Sequence, residues 1–164
     1  MEPRFLHMIL QKFCVQNTQN SFRLYDNGIE LPTLGKPVAN YVHAVKTGNL
    51  VFLSGKGPRD QDGMIIKGKL GKNISIEEAY STARNVAISQ LGALKSEIGD
   101  LNKVVRIVKV LGMVNSTEDF GNQPEVINGF SDFIVEIFGE RGRHARAAVG
   151  MASLPRNMVC EIEM

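Results

Sequence analysis

The chain has few of the residues that build disulfide frameworks or metal sites. Its 164 residues include two cysteines, Cys14 and Cys160, which lie far apart in the sequence. Three scattered histidines, His7, His43 and His144, have no histidine partner three or four residues away. This usage indicates reduced thiols in a cytoplasmic protein, without a disulfide framework or a zinc site.

A strong charge of one sign is also lacking. The net charge is +2, and no run rich in lysine and arginine occurs. The positive field expected of a dedicated nucleic-acid binder is therefore absent from the sequence. Apolar residues make up 43% of the chain, which is typical of a globular protein with one hydrophobic core.

Residues 1–20 are interpreted as an extension that precedes a single domain at residues 21–164. The extension mixes apolar residues with Arg4 and Lys12 and is poor in acidic residues. Its apolar stretch is too short to span a bilayer, and it lacks a small-residue cleavage pattern. A disordered tail, an arm that contacts another subunit, an amphipathic targeting segment and a misassigned start codon all stay open.

Hydrophobic period and turn residues predict the order β-β-β-α-β-α-β-β. Helices are expected from the capping box of Ser75 and Glu78 to Gly99, and from Pro124 to Gly139. Strands are expected at residues 41–46, 50–54, 64–66, 104–111, 145–151 and 158–163. The economical architecture is one sheet with both helices on one face. The apolar residues of the other face then predict burial by another copy of the chain in a closed homo-oligomer.

The last two strands contain the best candidates for chemistry. Strand alternation places Cys160 and Ile162 on the face under the helices and Glu161 on the other face. A carboxylate there must be paired, hydrogen-bonded or functional. Arg146 lies beside small residues in the preceding strand, where it could bind a carboxylate through two parallel hydrogen bonds. A plain cross-strand ion pair, or a bridge between subunits, explains the same pattern.

Three further polar residues are weaker candidates on the pattern alone. Tyr41 opens the first strand, Ser54 precedes a glycine in a turn, and Asn128 lies inside the second helix. Packing, turn formation and capping are the alternative explanations for these residues.

Two stretches resemble the RidA/YjgF family of reactive imine and enamine deaminases, which are also labelled endoribonuclease L-PSP. The first is similar to the opening hairpin of the family, and the second to its C-terminal signature. The resemblance covers roughly residues 41–164, and residues 23–37 resemble a longer-chain branch of that family. The matching segments are Asn40–Val45, Gly48–Gly55, Ala145–Val149, Leu154–Pro155 and Val159–Glu163.

This resemblance implies a chorismate-mutase-like α/β (α+β) sandwich with a six-stranded mixed sheet, two helices on one face, and a homotrimer with clefts between subunits. It also implies that Arg146 binds the ligand, that Glu161 is the acidic residue, and that Tyr41 lies in the pocket. Ser54 and Asn128 match the pocket serine and asparagine, and backbone groups near Ala148 would orient an amine. The chain departs from the family pattern at Lys56, at Ala147–Ala148 and at Gly150.

The function implied is hydrolytic deamination of short 2-imino acids or their enamines to 2-oxo acids and ammonia. Arg146 would hold the substrate carboxylate, Glu161 would handle protons, and Tyr41 would bind water or the leaving nitrogen, with no metal or organic cofactor. A non-catalytic trimer that binds a small carboxylate, such as a 2-oxo acid, is the alternative. An endoribonuclease ranks third, because the sequence offers neither paired histidines nor an aromatic and basic strip.

Overall fold

A computed structural model describes residues 23–24, 28–37 and 39–164. The expected extension at residues 1–20, with Cys14 and His7, lies outside these residues, so the predictions about it stay predictions. The one cysteine of the described part, Cys160, is a buried free thiol.

The first regular element is the expected β-hairpin. Strand β1 (Ala44–Thr47) pairs antiparallel with strand β2 (Leu50–Leu53). Gly48 lies in the turn with φ +56°, a backbone conformation that residues with a Cβ rarely adopt. The hairpin prediction is therefore confirmed, with both strands shorter than expected.

A three-stranded sheet forms the centre of the fold. Strand β3 (Lys109–Asn115) pairs parallel with strand β4 (Ala145–Met151) and antiparallel with strand β5 (Cys160–Glu163), so that the order is β4-β3-β5. Backbone hydrogen bonds join the hairpin to β5, from Leu53 N to Met164 O at 2.8 Å and in both directions between Lys56 and Ile162 at 3.0 Å. The described part of the chain thus has five strands in two linked sheets, where the sequence predicted six.

The short strand expected at Met64–Ile66 is absent from the regular strands. The backbone N–H of Met64 donates to the Asp60 side chain at 2.8 Å, and the N–H of Ile66 donates to Pro58 O at 3.1 Å. Pro58 has no N–H to return such a bond, so a regular ladder cannot continue through it. Only isolated bridges remain there, including Arg59 with Ile65.

The fourth expected strand, at residues 104–111, lies further along the chain than predicted. Residues Leu101–Lys103 form a turn of 3-10 helix, and β3 begins only at Lys109. Val105 and Val108, taken as strand residues, are 84% and 59% exposed. The predicted central position is confirmed, since β3 is the middle strand.

Both helices form where the sequence predicts them. Helix α1 (Ile76–Ile98) begins at the capping box of Ser75 and Glu78 and ends at Gly99. Helix α2 (Gln123–Phe138) begins one residue before Pro124 and ends at Gly139. The two helices pack side by side on one face of the central sheet, against fully buried residues such as Val110 and Ile162.

The opposite face of the sheet has large apolar side chains in the solvent. Val45 and Phe52 of the hairpin are 53% and 58% exposed, and Val149 of β4 is 39% exposed. Among the described residues, no helix is long and apolar enough to cross a membrane. These exposed apolar residues form the surface that another copy of the chain is expected to bury, and that burial stays a prediction.

Candidate functional site

Arg146 lies on the helix side of β4 and is held by two neutral partners from α2. Its Nη1 donates to Asn128 Oδ1 at 2.9 Å and to Ser131 Oγ at 3.0 Å. Arg146 pairs in register with Val110, which is buried under the helices. The salt bridges found between described residues do not include Arg146. A half-buried guanidinium oriented by neutral groups keeps donors for a carboxylate ligand.

His144 extends this network. Its Nδ1 lies 2.6 Å from Gly142 O and its Nε2 lies 3.1 Å from Ser131 Oγ. A tautomer with the proton on Nδ1 donates to the carbonyl and accepts from the serine hydroxyl, which in turn accepts from Arg146. Burial lowers the pKa of His144, and the nearby Arg146 charge lowers it further. The neutral imidazole therefore orients Ser131 towards Arg146.

Neither Ser131 nor His144 was among the sequence candidates for the site. Ser131 follows Asn128 by three residues on α2, so both lie on the same helix face. A polar pair at this spacing, within the otherwise apolar stripe of α2, was the signal that could have found Ser131.

Glu161 lies on the other face of the sheet, beside the end of the hairpin. Its neighbours in β5, Cys160 and Ile162, are fully buried under the helices, so alternation directs the carboxylate away from them. A side chain at Gly55 would clash with the Glu161 carboxylate, which shows how closely the two approach. Burial raises the pKa of Glu161, and the charge of Glu163 adds to the shift.

Ser54 precedes Gly55, which approaches Glu161, and it is bonded to the segment that contains Tyr41. The Ser54 hydroxyl donates to Val42 O at 2.6 Å, which fastens the end of β2 to the residue after Tyr41. Tyr41 is 48% exposed and contacts His43 edge to face, with ring centroids 6.3 Å apart. Ser54 therefore links the residue after Tyr41 to Gly55, the residue that approaches Glu161.

Lys56, one of the departures from the family pattern, has a clear contact in the structure. Its Nζ lies 3.1 Å from His43 Nδ1. Burial lowers the pKa of Lys56, and the charge of Arg59 lowers it further. The ammonium therefore binds a histidine of the hairpin.

Gln90 of α1 supports the Glu161 side from beneath and was missed in the sequence. It is fully buried, and its Nε2 donates to Ser54 O at 3.0 Å and to Ile162 O at 2.7 Å. One side chain thus ties Ser54, which follows β2, to Ile162, which follows Glu161 in β5. A glutamine within an apolar helix stripe was the available signal.

Arg146 and Glu161 do not face each other within one chain. Strand β3 separates β4 from β5, and Arg146 lies on the helix side whereas Glu161 lies on the open face. The cross-strand ion pair that the sequence left open is therefore not formed within one chain, and the pocket expected between subunits stays a prediction. Asn128 and Ala148 lie on the Arg146 side, and Tyr41 and Ser54 on the Glu161 side. The candidate residues form two half-sites.

Comparison with known proteins assigns the family. A family model described as "YjgF/chorismate_mutase-like, putative endoribonuclease" matches residues 21–164. The chain belongs to the RidA/YjgF family. Protein TCP17 of Trypanosoma cruzi is 39% identical over 137 residues, which cover 83% of this chain and 86% of that protein.

Two further relatives connect this chain to a solved fold and to a named activity. The crystal structure of Atu1372 from Agrobacterium tumefaciens, a protein of unknown function, superimposes with a TM-score of 0.81 at 38% identity and covers 93% of this chain and 96% of its own. A 2-iminobutanoate/2-iminopropanoate deaminase of Dermatophagoides farinae is 26% identical over 136 residues, covering 82% and 91% of the two chains. The family thus includes imine deaminases as well as proteins described as endoribonucleases.

Proposed function

We propose that the chain hydrolyses short reactive 2-imino acids and their enamine tautomers to 2-oxo acids and ammonia. The observation that carries the proposal is the Arg146 guanidinium, which is half-buried and oriented by Asn128 and Ser131 without a carboxylate partner among the described residues. A half-buried arginine of this kind is suited to bind a substrate carboxylate in a fixed orientation.

The proposed pocket needs a second copy of the chain. Arg146 belongs to one half-site, and Glu161 with Ser54 and Tyr41 belongs to the other, on opposite faces of the sheet. A neighbouring copy that covers the exposed Phe52 and Val149 would bring its own half-site to this chain and bury apolar surface. We infer that the assembly is the homotrimer expected from the family resemblance, with one pocket in each interface.

The chemistry follows from the two half-sites. Arg146 holds the carboxylate, and Glu161 of the adjacent copy accepts a proton as a water oxygen attacks the imine carbon. The proton is then delivered to the nitrogen, which gives a carbinolamine. Glu161 next moves the hydroxyl proton of the carbinolamine to its amine, the carbon–nitrogen bond breaks, and ammonia leaves as the carbonyl forms. The raised pKa of Glu161, caused by burial, suits a group that both accepts and returns a proton. Tyr41 and Ser54 would orient the water and the leaving nitrogen.

The alternative is a protein that binds a 2-oxo acid without turnover. Ala148 favours this binding function, because it presents no polar side chain beside Arg146. The proposed pocket therefore has one hydrogen-bonding group fewer on that side than the family pattern. The two functions are separated by the same assay. Saturable binding of 2-oxobutyrate without acceleration of imine hydrolysis selects the binding protein.

The first experiment measures imine loss directly. An amino-acid oxidase generates 2-iminobutanoate in situ, and imine disappearance with ammonia release is compared with the spontaneous rate. Arg146→Ala is expected to lower kcat/KM by about 10- to 100-fold, the usual value of a lost charge-assisted hydrogen bond. Arg146→Lys keeps the charge without the bidentate fork and should recover only part of the rate. An Arg146→Ala variant as fast as the parent would refute the assignment.

The second experiment tests the shared pocket. Arg146→Ala and Glu161→Gln, each with strongly reduced activity alone, are mixed, unfolded and refolded together. In a closed ring about a quarter of the interfaces then join an intact Arg146 to an intact Glu161, and activity should return to a similar fraction. Failure of the mixture to recover activity, with both parents assembled, would show that each site lies within one chain.

A further inference from the structure

A concave pocket lies at the carboxyl ends of the parallel strands β3 and β4, and we call it the strand-end pocket. Its volume is about 860 Å³, within the range of small-molecule sites. The carboxyl ends of parallel strands are where open α/β sheets bind ligands. The pocket is lined by Lys69, Ser116, Thr117, Glu118, Asp119, Phe120, Gln123, Gly150, Met151 and Ala152. Gly150 follows Arg146 by four residues of β4, about 13 Å, so the pocket is separate from the proposed substrate site.

The floor of the pocket is formed by polar groups that keep hydrogen-bonding capacity for a ligand. Ser116 is only 5% exposed, and its hydroxyl has no hydrogen-bond partner among the described residues. Gln123 Nε2 donates one hydrogen to Phe120 O at 2.7 Å and keeps a second. A Cβ on Gly150 would lie 2.9 Å from Ser116 Oγ and 2.8 Å from Gln123 Nε2. The glycine therefore leaves open the space on which both groups converge.

Positive charge lies beside this floor. Lys69 Nζ donates to Ala152 O at 2.6 Å, which uses one of its three donors. Helix α2 also begins here, and its N-cap residue, Asn122, forms no side-chain cap. An uncapped helix N-terminus leaves backbone donors and the positive end of the dipole open. A nearly buried serine whose hydroxyl has no partner among the described residues, a lysine and a helix N-terminus together favour a carboxylate.

The rim has the opposite charge. Glu118 and Asp119 are exposed residues of the segment between β3 and α2, and Phe120 and Met151 add apolar surface beside them. An anion such as inorganic phosphate would be repelled by these two carboxylates. A ligand with both charges satisfies the floor and the rim together.

We propose that the strand-end pocket binds a free α-amino acid with an apolar side chain. Its carboxylate is bound by Ser116, Gln123 and Lys69. Its ammonium group faces Glu118 and Asp119, and its side chain lies against Phe120 and Met151. This site is additional to the proposed deaminase site and does not depend on it.

The test compares three matched probes: L-leucine, 4-methyl-2-oxopentanoate, which lacks the ammonium group, and 3-methylbutylamine, which lacks the carboxylate. Each is titrated into the purified full chain while backbone amide resonances are followed by NMR. L-Leucine should shift the resonances of Ser116, Gln123 and Gly150 saturably. The other two probes should bind about tenfold more weakly or worse, as expected for a lost charge-assisted hydrogen bond. Equal binding of the 2-oxo acid at these residues would overturn the assignment of an amino acid.

Two glycine variants distinguish leucine binding in the strand-end pocket from leucine binding elsewhere on the protein. Gly150→Ala places a methyl group on the floor and should abolish the leucine shifts. Gly121→Ala lies in the same region, where an added Cβ meets nothing within 4 Å, and should leave leucine binding unchanged. Arg146→Ala should also leave it unchanged, even if deaminase activity proves absent. Leucine binding that survives in Gly150→Ala, or shifts that move to residues around Arg146, would refute the pocket.

Discussion

Gln90 connects the fold to the candidate site, and its replacement by methionine tests that connection. Methionine keeps an unbranched side chain of similar length but removes both hydrogen bonds from Nε2, to Ser54 O at 3.0 Å and to Ile162 O at 2.7 Å. Two lost bonds cost about 2 kcal/mol, and an unpaired Ser54 carbonyl adds about 1 kcal/mol. Ile162 O still accepts from Lys56 N at 3.0 Å, so it adds nothing further.

One contribution to the free energy of unfolding opposes this destabilisation. Gln90 Oε1 is buried without a partner among the described residues, and its removal returns about 1 kcal/mol. The net destabilisation is therefore about 2 kcal/mol. For a domain of this size, that lowers Tm by roughly 4–8 °C. Activity towards 2-iminobutanoate should fall as well, because Ser54 and the residue after Glu161 lose a shared support.

Thermal and urea unfolding of parent and variant measure the change. Asn85→Met is the matched control, because Asn85 lies on the exposed side of α1 and should change stability by no more than about 0.5 kcal/mol. Gln90→Glu should be worse than Gln90→Met at neutral pH, since a buried carboxylate would face two carbonyl oxygens. A Gln90→Met variant as stable as the parent would refute the reasoning that these bonds hold β2 to β5.

Three further predictions follow from other sites. Burial raises the pKa of Glu161 in the folded state, so the stability from its protonated form is present below the unfolded-state pKa and is lost as pH rises through the folded-state pKa. Glu161→Gln should therefore raise Tm at neutral pH and abolish imine hydrolysis. A Glu161→Gln variant that is less stable than the parent would contradict this. Burial lowers the pKa of His144 from 6.5, so the stability of its neutral form is present above pH 6.5 and lost as pH falls through the folded pKa; His144→Gln should flatten that acid limb in unfolding curves. Gly129→Ala would place a Cβ against the backbone of Tyr80, whereas the Cβ of Gly112→Ala meets the side chain of Ile127 at 2.6 Å. Both should destabilise, by about 1–3 kcal/mol for Gly112→Ala and by more for Gly129→Ala. Ile127→Ala, which removes the three Ile127 atoms that this Cβ meets, should cost less stability in the Gly112→Ala background than in the parent.

Much of the local structure was predictable because it depends on neighbours in sequence. The capping box of Ser75 and Glu78 formed as expected, since both partners lie within one turn. Gly48 closed the hairpin for the same reason. The strand predicted at residues 64–66 does not form, and its apolar residues could not show this, because the bonds that replace the ladder involve Asp60 and Pro58. The late start of β3 was missed because β-branched residues alone do not show which backbone groups will pair.

The candidate site was predicted as residues but not as an arrangement. Alternation correctly separated Glu161 from Cys160 and Ile162, because the direction of a strand side chain is a local property. The position of β3 between β4 and β5 is not local, since it depends on a parallel pairing that crosses over through α2. That pairing places Arg146 and Glu161 on different faces and in different strands.

The amino-acid sequence by itself determined the family, the two helices with their ends, the hairpin and the identity of the candidate residues. Only the tertiary structure decided which of those residues meet. Asn128, Ser131 and His144 gather around Arg146, and Gln90 joins Ser54 to the strand of Glu161. The physical reason is that turns, caps and alternation follow from short-range geometry. Contacts between distant segments follow from the packing of the whole core, which no single segment contains.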